Sequence, residues 1–483
     1  MNALLKPDRW KYPKLVLIFL LISSGISYAQ SIELDKKLGA ENAILVESQI
    51  GIYSNKKMTE YVSSIGNRLV AELEDNPFEF QFQIADDPIP NAFALPGGYV
   101  YVTRGILSLI TNEDELACVM AHEIIHVTGR HSIKQMRSSI LPHMLELPGA
   151  IVGTVVNEDL GNLINTPITT SNNLLLSSYS RKHETESDTK GIELASKAGY
   201  DPNAMASILD RLSLTVEVFT NEKEKKSYFD DHPYTPDRVK KITKTTSKLS
   251  WEEGTKISED FPSPLNGMVF GLNPRKGLFK GQTFQHPDLN FTLTFPDEWE
   301  TSNQPSTVLA IHEDRQAGIF VGLEDPSNSP EEYAKAFEKA LEEKHGQKPS
   351  LSESRNINNH PGYLITMEDK SGDEVMYIHI LWLKMENKLF KLIGIAPRSL
   401  EPDLQMTVRS LRSLTSAERK AIQMRTVRIV KAKKNETIGE LCDRTNNMVT
   451  TTIASLMNGV EEDEELDKNQ LVKIVVPEKY FKQ

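Results

Sequence analysis

The sequence predicts a multidomain chain. It comprises a mainly α N-terminal domain with a small β-sheet, an α+β domain with an antiparallel sheet, and a short strand–helix–helix–strand unit. Three observations carry this reading. The length of 483 residues, at roughly 100–200 residues per domain, implies about three domains. Apolar spacing is helical over most of 31–250 and strand-like from Leu265 onward. A stretch rich in Ser, Glu, Lys and Pro, Thr245 to Pro264, separates the two textures. Hydrophobic residues at 39% and charged residues at 25% suffice for packed cores and exclude a disordered or collagen-like chain. No period of 20–50 residues marks a solenoid.

Taken in order, residues 1–29 read as a signal peptide. Lys6, Arg9, Lys11 and Lys14 precede the apolar run Leu15 to Ile22, and Ser27-Tyr28-Ala29 fits a cleavage site that leaves Gln30 first. The apolar stretch is short for a membrane span, and no later stretch reaches the roughly 18 apolar residues of one. The expected location is the periplasm. The net charge is −12, and the basic leader makes the remainder more acidic still. Nucleic acid is therefore excluded as the main partner, since it is held by Lys and Arg. Cys118 and Cys442 are expected to be buried free thiols.

Residues 30–250 form the first domain. Helical spacing covers Ser31 to Ala71, Phe78 to Ile84 reads as a strand, and Ala92 to Thr103 as a second strand interrupted by Pro96-Gly97-Gly98. Residues 251–264 are the linker. In 265–418, strand patterns such as Phe291 to Phe295, Gly318 to Gly322 and Met376 to Leu383 are interrupted by helices at Pro330 to His345 and Glu401 to Leu414. The last unit, 425–483, runs from the strand Arg425 to Val430 through two short helices to the strand Leu471 to Val476.

The chemistry centres on His122-Glu123-Ile124-Ile125-His126. Asn112-Glu-Asp-Glu115 supplies a capping-box-like helix start, and Leu116, Val119, Met120, Ile124 and Val127 an apolar face. Two histidines at i and i+4 share a helix face and can hold one Zn²⁺. Glu123 can reach a water that the ion has acidified towards about pKa 7 and take its proton as general base. A catalytic zinc needs a third protein ligand and an open position. Three residues compete for that place. His131 stands one residue too early for an HExxHxxGxxH pattern. Glu146 lies at the twenty-residue spacing after His126, but Ala150 brings no orienting carboxylate. Glu184 shares a helix face with Asp188, which can accept the other N–H of a ligand histidine and fix its tautomer. Glu184 is preferred, and Glu186 is expected to face away.

Asn91-Ala-Phe-Ala-Leu-Pro-Gly-Gly98, Tyr99 to Gly105, HEIIH with Arg130-His131, Tyr179-Ser-Arg181 and Glu184-xxx-Asp188 together resemble the gluzincin family of HtpX and the CAAX prenyl protease. The likeness is strongest to its exported branch, the BepA-like periplasmic metalloproteases, and covers roughly residues 40–248. It implies a zincin-type fold with one Zn²⁺ per chain. His122, His126 and Glu184 would be ligands, Glu123 the base and Asp188 the support behind a ligand. Ser187 departs from the usual Ala. Asp231-His232-Pro233 to Arg238 also matches, and the likeness implies His232 as a latch in the fourth zinc position. Arg238 would then face the cleft and stabilise the oxyanion. The strand carrying Asn91, Gly97, Gly98 and Tyr99 would pair an extended substrate by β-augmentation, with the glycines admitting close backbone approach. Residues 133–178 would cap the cleft as a lid or touch a membrane. Thr283 to Trp299 resembles the opening of a PsbP-like domain, and the terminal unit a degenerate LysM-like module, which would bind peptidoglycan or dock protein. His286, His312, His345, His360 and His379 show no ligand spacing and read as structural. The implied function is a zinc-dependent endopeptidase for misfolded or stalled envelope and outer-membrane proteins, with the outer-membrane assembly machinery as possible partner. The rival is a chaperone or assembly factor whose zinc site is mostly latched.

Overall fold

The computed structural model describes residues 32–138, 179–219, 232, 236–258, 260–312, 317–370 and 374–481. The leader, Glu146, most of 133–178 and the residues just after His232 lie outside these. Among the described residues no helix is long and apolar enough to cross a membrane.

The first helical pattern is broken in two. Helix α1 spans 32–49 and α2 spans Lys56–Val70. Gly51, with φ of +82°, turns the chain, and the Asn55 side chain caps α2 by accepting from the Met58 N–H. Such a cap satisfies a helix-end donor that apolar periodicity alone does not register. Strand β1 is Gln81–Ala85, starting later than the alternation suggested. Strands β2, Ala92–Leu95, and β3, Tyr99–Thr103, form a hairpin around the Pro96–Gly98 turn. β3 is central, parallel to β1 and antiparallel to β2. Helices α3, Arg104–Leu109, and α4, Glu113–Thr128, follow. Asn112 caps α4, and Glu115 reaches back to the Thr111 N–H at 2.8 Å. Helices α5, His131–Ser138, α6, Arg181–Lys197, α7, Ala204–Phe219, and α8, Pro236–Thr246, complete the domain.

Helix α4 is apolar on most sides and lies inside one core with α2, the sheet, α6 and α7, as expected of a helix without a wet face. Its crossing with α6 is set by Gly191, where a Cβ would lie 3.1 Å from both the Cα and N of His122. Gly191→Val is expected to force these helices apart, costing about 1–3 kcal/mol by overpacking. Because α6 also carries Glu184 and Asp188, metal affinity should fall alongside Tm. A thermal melt with a zinc titration checks both.

The α+β part begins with β4, Val269–Phe270, then β5, Leu278–Lys280, β6, Thr283–His286, and β7, Phe291–Thr294. The strands β8, Glu300–Asn303, β9, Thr307–Ile311, and β10, Gly318–Glu324, precede helix α9, Pro330–His345. β11, Leu351–Ile357, β12, His360–Asp369, β13, Met376–Met385, and β14, Lys388–Pro397, follow. They assemble as an antiparallel seven-stranded sheet ordered β11-β12-β13-β14-β10-β9-β8. α9 packs on one face, and helix α10, Glu401–Ser410, on the other. A short helix α11, Ser416–Ala421, leads on.

The terminal unit has long strands β15, Gln423–Lys431, and β18, Leu471–Lys479, paired antiparallel. Between them lie the two-residue pair β16, Glu436–Thr437, and β17, Glu465–Leu466, and helices α12, Ile438–Thr445, and α13, Thr451–Asn458. β4 joins this sheet as a third strand, Val269 opposite Thr426 and Phe270 opposite Arg425, a partner with no signal in the sequence after the linker. Cys118 and Cys442 are free and buried.

Val427, Met457 and Val475 of the terminal unit enter the core of the first domain. Lys473 is 1% exposed and donates to the Ser108 and Ile110 carbonyls at 2.8 and 2.5 Å. Burial, helped by the nearby Arg211 cation, pushes its ammonium down to about 7. A neutral amine still has two N–H groups, enough for both carbonyls. The unfolded lysine titrates near 10.4. Between about pH 7 and 10 the unfolded chain therefore holds a proton that the folded chain has lost. This group makes stability rise with pH across that window and adds no slope below it. Lys473→Met should remove that rise, as melts at pH 6.5 and 9 would show.

Candidate metal centre

The site is built from two helices and a loop. α4 presents His122, Glu123 and His126, one α-helical turn separating the two imidazoles. α6, capped by the Ser180 hydroxyl, presents Glu184 and Asp188. His232 comes from the segment before α8, and Arg238 from the first turn of α8. All seven side chains are buried.

Ligand atoms of His122, His126, Glu184 and His232 lie within 4.8 Å of one another. His122 Nε2 is 2.9 Å from His126 Nε2 and 3.3 Å from His232 Nδ1. Glu184 Oε1 is 3.3 Å from His126 Nε2 and 3.1 Å from His232 Nδ1, and Oε2 is 3.6 Å from His122 Nε2. Four ligands at zinc bond lengths of about 2.0–2.1 Å in a tetrahedron would stand about 3.3–3.4 Å apart. The separations fit.

The protonation states fit too. Burial pushes the His122 and His126 imidazoles down, His126 far down, leaving neutral nitrogens with lone pairs to offer. Burial alone would raise the Glu184 carboxyl, but the His232 charge and hydrogen bonds from His126 and His232 hold it far below the carboxylate range. Burial would lower His232, yet the carboxylates of Glu184 and Glu123 raise it to about 9. The pocket thus wants positive charge beyond what Arg238 brings, and a divalent cation would supply it.

Behind the ligands, His122 Nδ1 lies 3.1 Å from Asp188 Oδ1. Burial would raise the Asp188 carboxyl, but the neighbouring His122 and the Arg238 charge hold it below its usual range. Arg238 grips Asp188 through Nε at 2.7 Å and Nη2 at 2.8 Å, and its Nη1 lies 3.0 Å from Glu184 and 3.3 Å from the His232 carbonyl. The guanidinium is therefore engaged in holding both carboxylates and the His232 segment.

His131 sits behind His126, its Nδ1 3.1 Å from His126 Nδ1, on the side away from the ligand atoms. Ser187 Oγ is 3.3 Å from the same nitrogen, and Glu186 is 3.6 Å from His131 Nε2. Tyr179 stacks on His126 with centroids 3.9 Å apart, and its hydroxyl is 2.8 Å from Ser132 Oγ. Sequence spacing missed this stacking, since no period links residue 126 to 179. Glu123 lies on the ligand side, with Oε1 3.4 Å from His232 Nε2.

β2 is an edge strand beside α4, with Asn91 just before it donating its N–H to Thr103 Oγ1 at 2.9 Å. Gly97 and Gly98 have positive φ. A Cβ on Gly98 would lie 2.3 Å from the Glu79 carbonyl, and one on Gly97 2.9 Å from the Lys36 Cα. The chain's own backbone approaches both glycines closely. Tyr99 opens β3, paired with Leu95.

Comparison with known proteins agrees with this geometry. The model of peptidase family M48 matches residues 56–246. Mitochondrial metalloendopeptidase OMA1 of Schizosaccharomyces pombe is 32% identical over 223 residues, 44% of this chain and 61% of that protein. The beta-barrel assembly-enhancing protease of Escherichia coli is 36% identical over 161 residues, 32% of each chain. This chain thus spans less than two thirds of either relative. Cyanobacterial PsbP from Synechocystis covers 28% of this chain and 92% of its own, at 13% identity and a TM-score of 0.23. That overlap is too loose to add to the fold. Residues 56–246 are thus the part of the chain that is similar to peptidase family M48, the beta-barrel assembly-enhancing proteases among its relatives.

Proposed function

We propose that this chain is an exported, zinc-dependent endopeptidase acting on misfolded or stalled envelope and outer-membrane proteins, held in check by His232. The observation that carries the proposal is the convergence of His122, His126 and Glu184 beside Glu123 within one buried site. These three would hold the ion. When bound, zinc would polarise a peptide carbonyl and acidify a water. The chain's own residues do the rest. Asp188, 3.1 Å from His122 Nδ1, would fix the His122 tautomer, and Arg238 holds Asp188 in place. Glu123, one residue from a ligand, is placed to take a proton from water and return it to the leaving amine.

His232 supports the latch. Its Nδ1 sits among the ligand atoms and its Nε2 against Glu123, so one imidazole covers both the fourth ligand position and the base. The same observation favours the second reading, a chaperone or assembly factor whose site is mostly latched. The substrate class rests on the likeness to the assembly-enhancing protease, and export to the periplasm on the basic and apolar leader. We read 265–418 as PsbP-like and 425–483 as LysM-like, the latter docking protein or peptidoglycan.

The test is metal content and casein hydrolysis by the mature chain, before and after dialysis against a chelator. One zinc per chain, with cleavage lost on chelation and restored by zinc, is expected. Zinc bound without cleavage by any form would move the weight to the chaperone reading. Absence of zinc would overturn both.

A further inference from the structure

A cavity of about 370 Å³ lies in the α+β part, between the α10 face of the seven-stranded sheet and α10 itself. α10 is seated where Leu404 meets Gly394, since a Cβ there would come within 2.9 Å of Leu404 Cδ1. Beside this contact the floor is apolar, made by Leu364 on β12, Leu381 on β13 and Leu392 on β14, with Val408 of α10 above. The register sets these on one face, because Leu364 pairs with Leu381 and Leu381 with Leu392.

Polar groups converge at one point of this apolar slot. His379 Nδ1 is 2.9 Å from Thr366 Oγ1, and its Nε2 is 3.2 Å from Glu401 Oε1. Thr366 is buried, whereas the His379 and Glu401 side chains keep about a quarter of their surface open. The arrangement resembles a hydroxyl–histidine–carboxylate triad. Thr366, however, lies mid-strand, with its neighbours' amides engaged in ladder pairing to β11 and β13, so no oxyanion donors stand by. It is a binding constellation: few polar groups in an apolar slot, at a volume within the range of small-ligand sites. At about 30 Å³ per atom the space takes about a dozen non-hydrogen atoms.

The rim decides the head group. Arg355 and Arg409 both line the opening. Arg355 is ion-paired with Glu353, and Glu401 is taken by His379. Arg409 is exposed and makes no ion pair among the described residues. The unbalanced charge at the mouth is positive.

We propose that this cavity binds one single-chain amphiphile with an anionic head, its chain on Leu364, Leu381 and Leu392 and its head at Arg409. A carboxylate or a phosphate head satisfies the same guanidinium. Isothermal titration of the full chain tests this, with decanoate, decyl phosphate and decyltrimethylammonium, all below their micelle concentrations. Saturable binding of at least one anion at one per chain is expected. The cation should bind at least about tenfold more weakly, and the preferred anion identifies a fatty-acid or a phospholipid-like source. Leu364→Trp, which fills the slot, should abolish binding. Arg409→Glu, on the surface, should weaken it by about tenfold with Tm unchanged, so the proposal stays testable even if the Trp variant fails to fold. Three results would each overturn it: no saturable anion binding, equal binding of the cation, or binding unaltered by Arg409→Glu.

Discussion

Glu123→Gln is expected to lower peptide hydrolysis by about 10²–10⁴-fold while leaving one zinc per chain. The range is that of a general acid–base group removed from an otherwise intact site. Gln keeps the size and planarity of Glu, and residue 123 lies in the middle of a buried helix, so the ligands either side of it keep their places. Only the capacity to take a proton goes. A matched loss of kcat and kcat/KM, with KM little changed, is the signature of an interaction made in the transition state. Loss of zinc together with activity would instead show that Glu123 supports the fold of the site. Activity retained within a few-fold would remove it from catalysis.

His232→Ala is expected to raise hydrolysis, by roughly tenfold if the closed form holds about nine-tenths of the molecules. The imidazole lies 3.3 Å from His122 and 3.1 Å from Glu184 on one side and 3.4 Å from Glu123 on the other. Alanine clears both places at once. The Arg238 bond to the residue 232 carbonyl uses backbone and survives the change, so the segment keeps an anchor. Zinc stays at one per chain because three ligands remain. Unchanged or reduced cleavage, measured on casein beside the parent chain, would make His232 a structural residue and end the latch reading.

Much of this centre was readable because it is local. HExxH needs only helical periodicity to place two imidazoles on one face, and Glu184 with Asp188 repeats the argument on α6. What joins the two helices is not local. Gly191 against His122, Tyr179 against His126 and His131 behind His126 are contacts across distances in sequence that no period spans. The glycines of the Pro96–Gly98 turn were legible as positions of close approach, but the approaching backbone is that of Lys36 and Glu79, which residue type cannot announce. His379 read as structural because ligand spacing along the chain was the only criterion, while its partners Thr366 and Glu401 arrive from another strand and a helix. In the accessory regions alternation found most strands. It could not find β4, because two residues carry no period, and their pairing depends on a strand some 150 positions away.

That pairing has a topological consequence. Val269 and Phe270 run antiparallel to Thr426 and Arg425, so the chain leaves the first domain and returns to it at neighbouring points, as the two arms of a hairpin do. Everything between is an excursion with cores of its own. The terminal unit faces both ways: Val427, Met457 and Val475 join the first core, while Ile438, Leu441 and Val472 pack in a core of their own. Cutting away the last sixty or so residues would uncover the part of the first core that Val427, Met457 and Val475 fill. Excising the insert and joining Phe270 to Arg425 through a tight turn would keep that core whole.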